Sequence, residues 1–286
     1  MKRILCGLFV AMCIAATGAL AQTASATLAR IKAAKAINVA FSPDSLPFSW
    51  TMSNNLPTGY SIDLCKRVIA QIGRAAGEPD LKINWMPGNV TERLQMVATG
   101  KADLECANTT TTQSRLANVD FSNLIFVDGG GFLVKNDSPI NSMADMGGKK
   151  IAVLKGTTTE ARLNAMLAKR LINATVVPIA DGLEGVRMLE AGTADAYAGD
   201  KIKLIGLAGQ AKEPAKVAML TEDLSYEPYG FALPRNDSAY RLEVNKALTQ
   251  IYMSPDIEVI FEQWLGRLGR PSGLLAAMYL LYSIPE

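Results

Sequence analysis

The run Asn108-Thr-Thr-Thr-Thr-Gln-Ser-Arg115 places five hydroxyls, two amides and a guanidinium in one short stretch. Hydroxyls at this density donate well to an anion, and the planar fork of Arg115 pairs with two carboxylate oxygens at once. A Thr-rich loop ending in a solvated arginine has the same composition. A second run, Gly156-Thr157-Thr158-Thr159-Glu160, lies between an expected strand and an expected helix. Glycine lets a ligand approach the backbone, and the free amides of a helix start attract negative charge. Thr157 followed by Glu160 is also a capping box, and the two roles are compatible because the cap fixes the helix end that an anion would meet. Asp200 offers the opposite sign, as partner for an ammonium group or as the cap of a helix beginning at Lys201. Arg93, at the start of a helix, either reads a ligand side chain or is simply exposed. Phe48, Trp50 and Tyr60 are available as cleft walls, although aromatics at such spacings more often fill cores. An arginine facing an aspartate suits a zwitterionic solute.

A repeat indicates how these groups are brought together. The stretch from Glu92 to Asp103 reappears 92 positions later from Glu184 to Asp195, with Met96, Gly100 and Ala102 matched by Met188, Gly192 and Ala194. Each copy reads as an amphipathic helix, a glycine stop and a strand. The strands end at Asn108 and Asp200, at the same offset. Ligand groups gather at the carboxyl ends of strands in open α/β sheets. Two similar lobes, each giving one polar residue to a shared cleft, are therefore expected.

The remaining elements alternate. A leading helix is expected over Thr27–Lys35, strands over Ile37–Ser42 and Leu81–Met86, and a helix carrying Ile62, Cys65, Val68, Ile69 and Ile72. Pro43, Pro47 and the polar run Ser53–Thr58 break regular structure. Phe121–Phe126 and Gly131–Lys135 read as extended, with Gly129-Gly130-Gly131 between them. A second set begins with a strand over Ile151–Leu154, a helix over Thr157–Leu171 and a strand over Thr175–Ile179. After the second repeat come a strand over Tyr229–Pro234, helices over Ser238–Met253 and Pro255–Trp264, and an apolar last helix over Leu274–Leu281. Strands alternating with helices argue parallel α/β layers. Gly131–Lys135 and Tyr229–Pro234 resemble each other and read as the two crossings between lobes, as parallel hinge strands that permit rigid-body closure. The domain assignment is a signal peptide over 1–21, a discontinuous lobe 1 over 22–131 and 229–286, and an inserted lobe 2 over 132–228.

Residues 1–21 read as a cleavable secretory signal: Lys2 and Arg3, an apolar run from Ile4 to Leu20, and Ala19-Leu20-Ala21, with cleavage near Ala21-Gln22. The run is short for a membrane span. Without it, 27 basic and 27 acidic residues balance, which argues against nucleic-acid or anionic-membrane partners. With no histidine and few cysteines, a zinc site or a Ser-His-Asp triad is not expected, nor is a cofactor. Cys65 and Cys106 remain after the leader. An oxidising compartment permits a bridge between them, the alternative being two buried thiols, and the bridge is favoured.

Taken together, Gly59-Tyr-Ser-Ile-Asp63-Leu-Cys65, the segment Asp103–Arg115, Gly156-Thr-Thr-Thr-Glu160, Ala194-Asp-Ala-Tyr-Ala-Gly-Asp200 and Tyr229-Gly230 resemble the family 3 solute-binding proteins, the periplasmic receptors of polar amino-acid ABC transporters. The likeness is strongest to the glutamate/aspartate-binding branch. It implies a two-lobe, type II periplasmic binding protein fold, each lobe a mixed sheet flanked by helices. The resemblance assigns the α-carboxylate to Arg115, Thr110 and Thr157, the α-amino group to Asp200 and Asn108, and the ligand side chain to Arg93. Ser42 stands where the branch has a second arginine, Gly182 where it has a histidine, and Ser45 at an aromatic clamp position near the first loop, so the side-chain pocket is altered. The implied protein is a monomer that binds an amino acid, performs no catalysis and delivers its solute to an inner-membrane permease. Two alternatives share the fold: a dehydratase or related lyase, for which Glu105 and Asp181 are the spare carboxylates, and a ligand-binding partner of a sensor protein.

Overall fold

The computed structural model describes residues 25–53 and 55–285, so the signal-peptide reading lies outside the described residues. In chain order the elements are α1 (Ala26–Ala34), β1 (Ala36–Phe41), β2 (Asp44–Ser45), β3 (Ser49–Thr51), β4 (Pro57–Thr58), α2 (Tyr60–Ala76), β5 (Lys82–Pro87), α3 (Val90–Ala98), β6 (Leu104–Cys106), α4 (Gln113–Leu116) and β7 (Asp120–Lys135). They continue with β8 (Lys150–Leu154), α5 (Thr158–Arg170), β9 (Thr175–Ile179), α6 (Gly182–Ala191), β10 (Ala196–Asp200), α7 (Lys201–Ala208), β11 (Val217–Met219), β12 (Ser225–Leu233), α8 (Ser238–Tyr252), α9 (Asp256–Leu265) and α10 (Gly273–Leu281).

Among the described residues, nine strands share one sheet in the order β5-β1-β6-β12-β7-β10-β8-β9, with β11 also on β7. The order is symmetric about its middle. In the first lobe β5, β1 and β6 run parallel and β12 antiparallel; in the second β9, β8 and β10 run parallel and β7 antiparallel. The fold is thus the two-lobe α/β architecture. The central strands β7 and β12 are antiparallel to one another, not parallel as expected, because one leaves the first lobe and the other returns to it. Their register pairs Phe126 with Tyr229, Asp128 with Glu227 and Gly130 with Ser225. Gly131–Lys135 pairs instead with β10 and β11. The three glycines do not separate one strand from another either: β7 runs unbroken through them. A Cβ on Gly130 would stand 2.3 Å from Ser225 Oγ, so the glycine leaves room for the Ser225 hydroxyl on the opposing strand.

Helix α2 shows how the sequence builds the first lobe. Ile62, Cys65, Val68, Ile69 and Ile72 recur at helical spacing and are all buried, each apolar side chain contributing roughly 1.5–3 kcal/mol. The helix starts after Gly59, whose φ of 126° brings its Cα under Phe48; a Cβ there would lie 2.4 Å from the Phe48 carbonyl oxygen. It stops at Gly77, which is left-handed and returns its N–H to the Arg74 and Gly73 carbonyls. Helices α1, α2, α8, α9 and α10 close one core against β1, β6, β12 and the first half of β7. Two further clusters cover the opposite faces of β7, β8 and β10 in the second lobe. Cys65 and Cys106 are bonded, with Cα atoms 6.0 Å apart, tying α2 to β6. In the chain-entropy picture a 41-residue separation makes such a bridge worth roughly 4 kcal/mol.

The proline-rich segment after β1 is not irregular. It forms the antiparallel ribbon β2-β3-β4, with Asp44 opposite Trp50 and Trp50 opposite Thr58. The ribbon carries Asp44 and Ser45 to the mouth of the first lobe.

Candidate functional site

A cavity of about 560 Å³ lies between the lobes, at the carboxyl ends of the strands. From the first lobe it is lined by Ser42, Asp44 and Ser45 after β1, by Arg93 on α3, and by Asn108, Thr109, Thr110 and Arg115 after β6. From the second come Gly156–Thr159 before and on α5, Tyr197 and Asp200 on β10, and Lys203 on α7.

The two repeat ends meet. Asn108 Nδ2 donates to Asp200 Oδ2 at 3.1 Å. The same oxygen accepts from Tyr229 Oη at 2.8 Å, and Asp200 Oδ1 accepts from Thr159 Oγ1 at 3.0 Å. Burial raises the pKa of Asp200, and Glu227 adds to the effect, although Tyr229, Lys203 and Thr159 favour its charge. Asp128 lies on the other side of Tyr229, 3.2 Å from its hydroxyl. Burial, then the Asp200 charge, pushes Asp128 up to about 7 against three hydrogen bonds. Asp200 makes no hydrogen bond that caps α7.

Arg115 stands on the short helix α4, which Thr112 caps, and its Nη1 donates to the Thr110 carbonyl at 2.7 Å. Burial lowers its pKa, while Glu105, Glu227 and Asp200 oppose that shift. Thr110 Oγ1 donates to Glu227 at 2.6 Å and Thr158 Oγ1 to the same Glu227 oxygen at 2.7 Å. One carboxylate on β12 thus clasps a hydroxyl from each lobe. Thr157 lines the cavity, but its hydroxyl accepts from the Glu160 amide and donates to the Leu154 carbonyl, so it serves the helix end.

Arg93 is buried rather than exposed. Its Nε donates to Glu105 Oε1 at 2.7 Å, its Nη1 to the Gly88 carbonyl at 2.8 Å and its Nη2 to Thr109 Oγ1 at 3.3 Å. Ser42 is buried at the cavity wall, donating to Asp44 and pairing with Ser45. Asp44 is held below the usual carboxylate range: burial works against its charge, but Lys203, Ser42, the Gly182 N–H and Arg93 together outweigh it.

Phe48 does not reach the cavity. Its ring is fully buried against Tyr60, Phe126 and Tyr229, with centroids 6.0, 5.0 and 5.3 Å away, because the ribbon folds it under the first lobe. Trp50 packs on Trp264, and Tyr60 donates its hydroxyl to the Ile125 carbonyl. None of the three lines the cavity: Phe48 and Tyr60 are core residues and Trp50 is half-buried. The two spare carboxylates are engaged as well: Glu105 accepts from Arg93 and Thr109, and Asp181 caps α6 through the Glu184 amide. Sequence reasoning passes over Asp44, Lys203, Thr158, Thr159 and Glu227 as site residues. The threonines belong to a run that the sequence does single out, whereas long-range packing alone brings Asp44 and Lys203 to the cleft and Glu227 to the threonines that line it.

Two lobes on one sheet, with polar groups of both converging on a single cavity, define a binding protein for small solutes. The chain belongs to the bacterial extracellular solute-binding proteins, family 3, whose model matches residues 37–267. It is 32% identical over 255 residues to an L-glutamate/L-aspartate-binding protein of Pseudomonas aeruginosa, covering 89% of this chain and 84% of that one. Among solved structures it is similar to an ancestral arginine-binding protein bound to glutamine, with a TM-score of 0.72 at 27% identity over 81% of this chain and 98% of that one. It is also similar to an ancestral amino acid-binding protein described as a precursor of cyclohexadienyl dehydratase, with a TM-score of 0.71 at 29% identity over 84% and 99% of the two chains.

Proposed function

We propose that this protein is the substrate-binding component of an amino-acid ABC transporter: a monomer, exported to the periplasm through residues 1–21, that closes on a zwitterionic amino acid and hands it unchanged to an inner-membrane permease. Its lobes are taken as 22–131 with 229–286, and 132–228. The observation that carries this reading is the convergence of Arg115 from one lobe and Asp200 from the other on one cavity. A zwitterion needs this pair, and each charge finds its match only when the lobes are together.

In this reading Arg115, Thr110 and the backbone start of α5 at Thr157 hold the α-carboxylate. Asp200, already oriented by Thr159, Tyr229 and Asn108, takes the α-ammonium, with the Asn108 amide oxygen as second acceptor. Arg93, Ser42, Asp44 and Lys203 surround the ligand side chain. Glu105 and Asp181 are held by Arg93 and by α6, which favours binding over turnover. Isothermal titration with the common amino acids tests the proposal. One or a few bind tightly, and Arg115→Ala loses ~2–5 kcal/mol, since it strips one partner from a buried charge pair. Affinity that survives this change within a few-fold would reject the assignment.

A further inference from the structure

Given the reading above, on which this step rests, we infer that the side-chain end of the cleft selects an amino acid with an uncharged hydrogen-bonding side chain, best a carboxamide, and that Asp44 is the residue that excludes the acidic ones. The two cations there are each compensated by an acid of the chain itself. Arg93 is paired with Glu105, both nearly inaccessible. Lys203, also buried, lies 3.9 Å from Asp44. Lys155 and Glu92 sit exposed at the rim, where water screens them and their charges oppose.

The hydrogen bonds have a direction. Lys203 Nζ donates to Ser45 Oγ at 3.2 Å, and Ser42 Oγ donates to Asp44 Oδ1 at 3.0 Å. Ser45 and Ser42 are 2.8 Å apart, so the proton between them belongs to Ser45, and a one-way chain runs from Lys203 to Asp44. Asp44 Oδ2 also accepts the Gly182 N–H across the cleft at 3.3 Å. Two hydroxyl donors and one ammonium N–H are thus directed along a chain that ends on an acid belonging to the protein. A ligand carboxylate would enter with no cation left uncompensated and with Asp44 beside it, and desolvating such an ion costs several kcal/mol. A carboxamide brings no charge. Its carbonyl accepts from the two Arg93 N–H groups not already used, and its NH2 donates to the carboxylate of Asp44.

Titration calorimetry on the full mature protein with glutamine, asparagine, glutamate, aspartate and arginine tests this. The amides bind at least about tenfold tighter than the corresponding acids, as expected where like charges would meet. In Asp44→Asn, Lys203 loses its counter-ion and the acid-to-amide affinity ratio rises at least about tenfold; a thermal melt shows whether the variant is folded. Glutamate, aspartate or arginine matching the amides in the unaltered protein overturns the inference whatever the variant does. So does an unchanged ratio in folded Asp44→Asn. If none of the amino acids binds, the transport reading falls as well, a result distinct from tight binding of the wrong one.

Discussion

The two copies of the repeat agree where they build the scaffold and differ where they face the solute. Asp103 and Asp195 each accept a backbone N–H from the neighbouring strand, Asn38 and Lys150 respectively, both at 2.8 Å. Asn89 and Asp181 each cap the following helix through the amide of Glu92 or Glu184. Gly100 and Gly192 are both left-handed, with φ of 72° and 68°. One divergence falls on two coupled positions. Where the first lobe has Arg93 bonded to Glu105, the second has Gly185 beneath the ring of Tyr197, so close that a Cβ would stand 2.6 Å from it. One volume is filled by an ion pair in one lobe and by an aromatic ring over a glycine in the other. The scaffold tolerates either solution, which places a guanidinium on one wall of the cleft and a tyrosine ring on the other.

The comparison can be broken most forcefully at the ion pair. Arg93→Gly strands Glu105 in the core and costs ~3–5 kcal/mol in denaturant unfolding. Arg93→Gly combined with Glu105→Tyr copies the second lobe into the first and recovers a substantial share of that loss; a double variant no more stable than the single one would show that the two solutions are not interchangeable. Gly185→Ala probes the other lobe. The added methyl pushes Tyr197 aside, and overpacking of this kind costs ~1–3 kcal/mol, read as a lower melting temperature and weaker ligand binding. The last test concerns Asp128, on the crossing strand between the lobes. Its carboxyl is raised from 3.8 to about 7, so the folded state holds a proton that the unfolded chain has released. Its contribution to stability is fully present below about pH 4, falls as pH rises towards about 7 and is flat beyond. Burial raises the Asp200 carboxyl in the same direction. Asp128→Asn flattens the melting temperature between about pH 5 and 7 relative to the unaltered protein; an unaltered slope would locate the proton elsewhere.

Much of this architecture is legible without coordinates, because the repeat, the helical spacing of α2 and the paired strand ends are local patterns. The strand over Thr175–Ile179 and the helices α5 and α8 lie within a residue or two of their sequence-based bounds. The β2-β4 ribbon escapes such a reading because its prolines mark a break in helix and sheet alike, and only the register of Asp44 on Trp50 reveals a strand. Phe48 suggests a cleft wall since an aromatic beside polar residues looks the same in a wall or a core. Its burial is decided by Phe126 and Tyr229, far along the chain. Glu227 is invisible for a similar reason: nothing near it in sequence announces that Thr110 and Thr158 will both lean on its carboxylate.

Strand β7 has a consequence for how the molecule comes apart. Phe121, Ile125 and Phe126 are embedded in the clusters of one lobe, and Phe132, Leu133 and Val134 in those of the other. Neither half can melt without pulling a central strand from its twin. Despite its bipartite shape, the protein should therefore denature in one cooperative step, and damage to either side is felt by both.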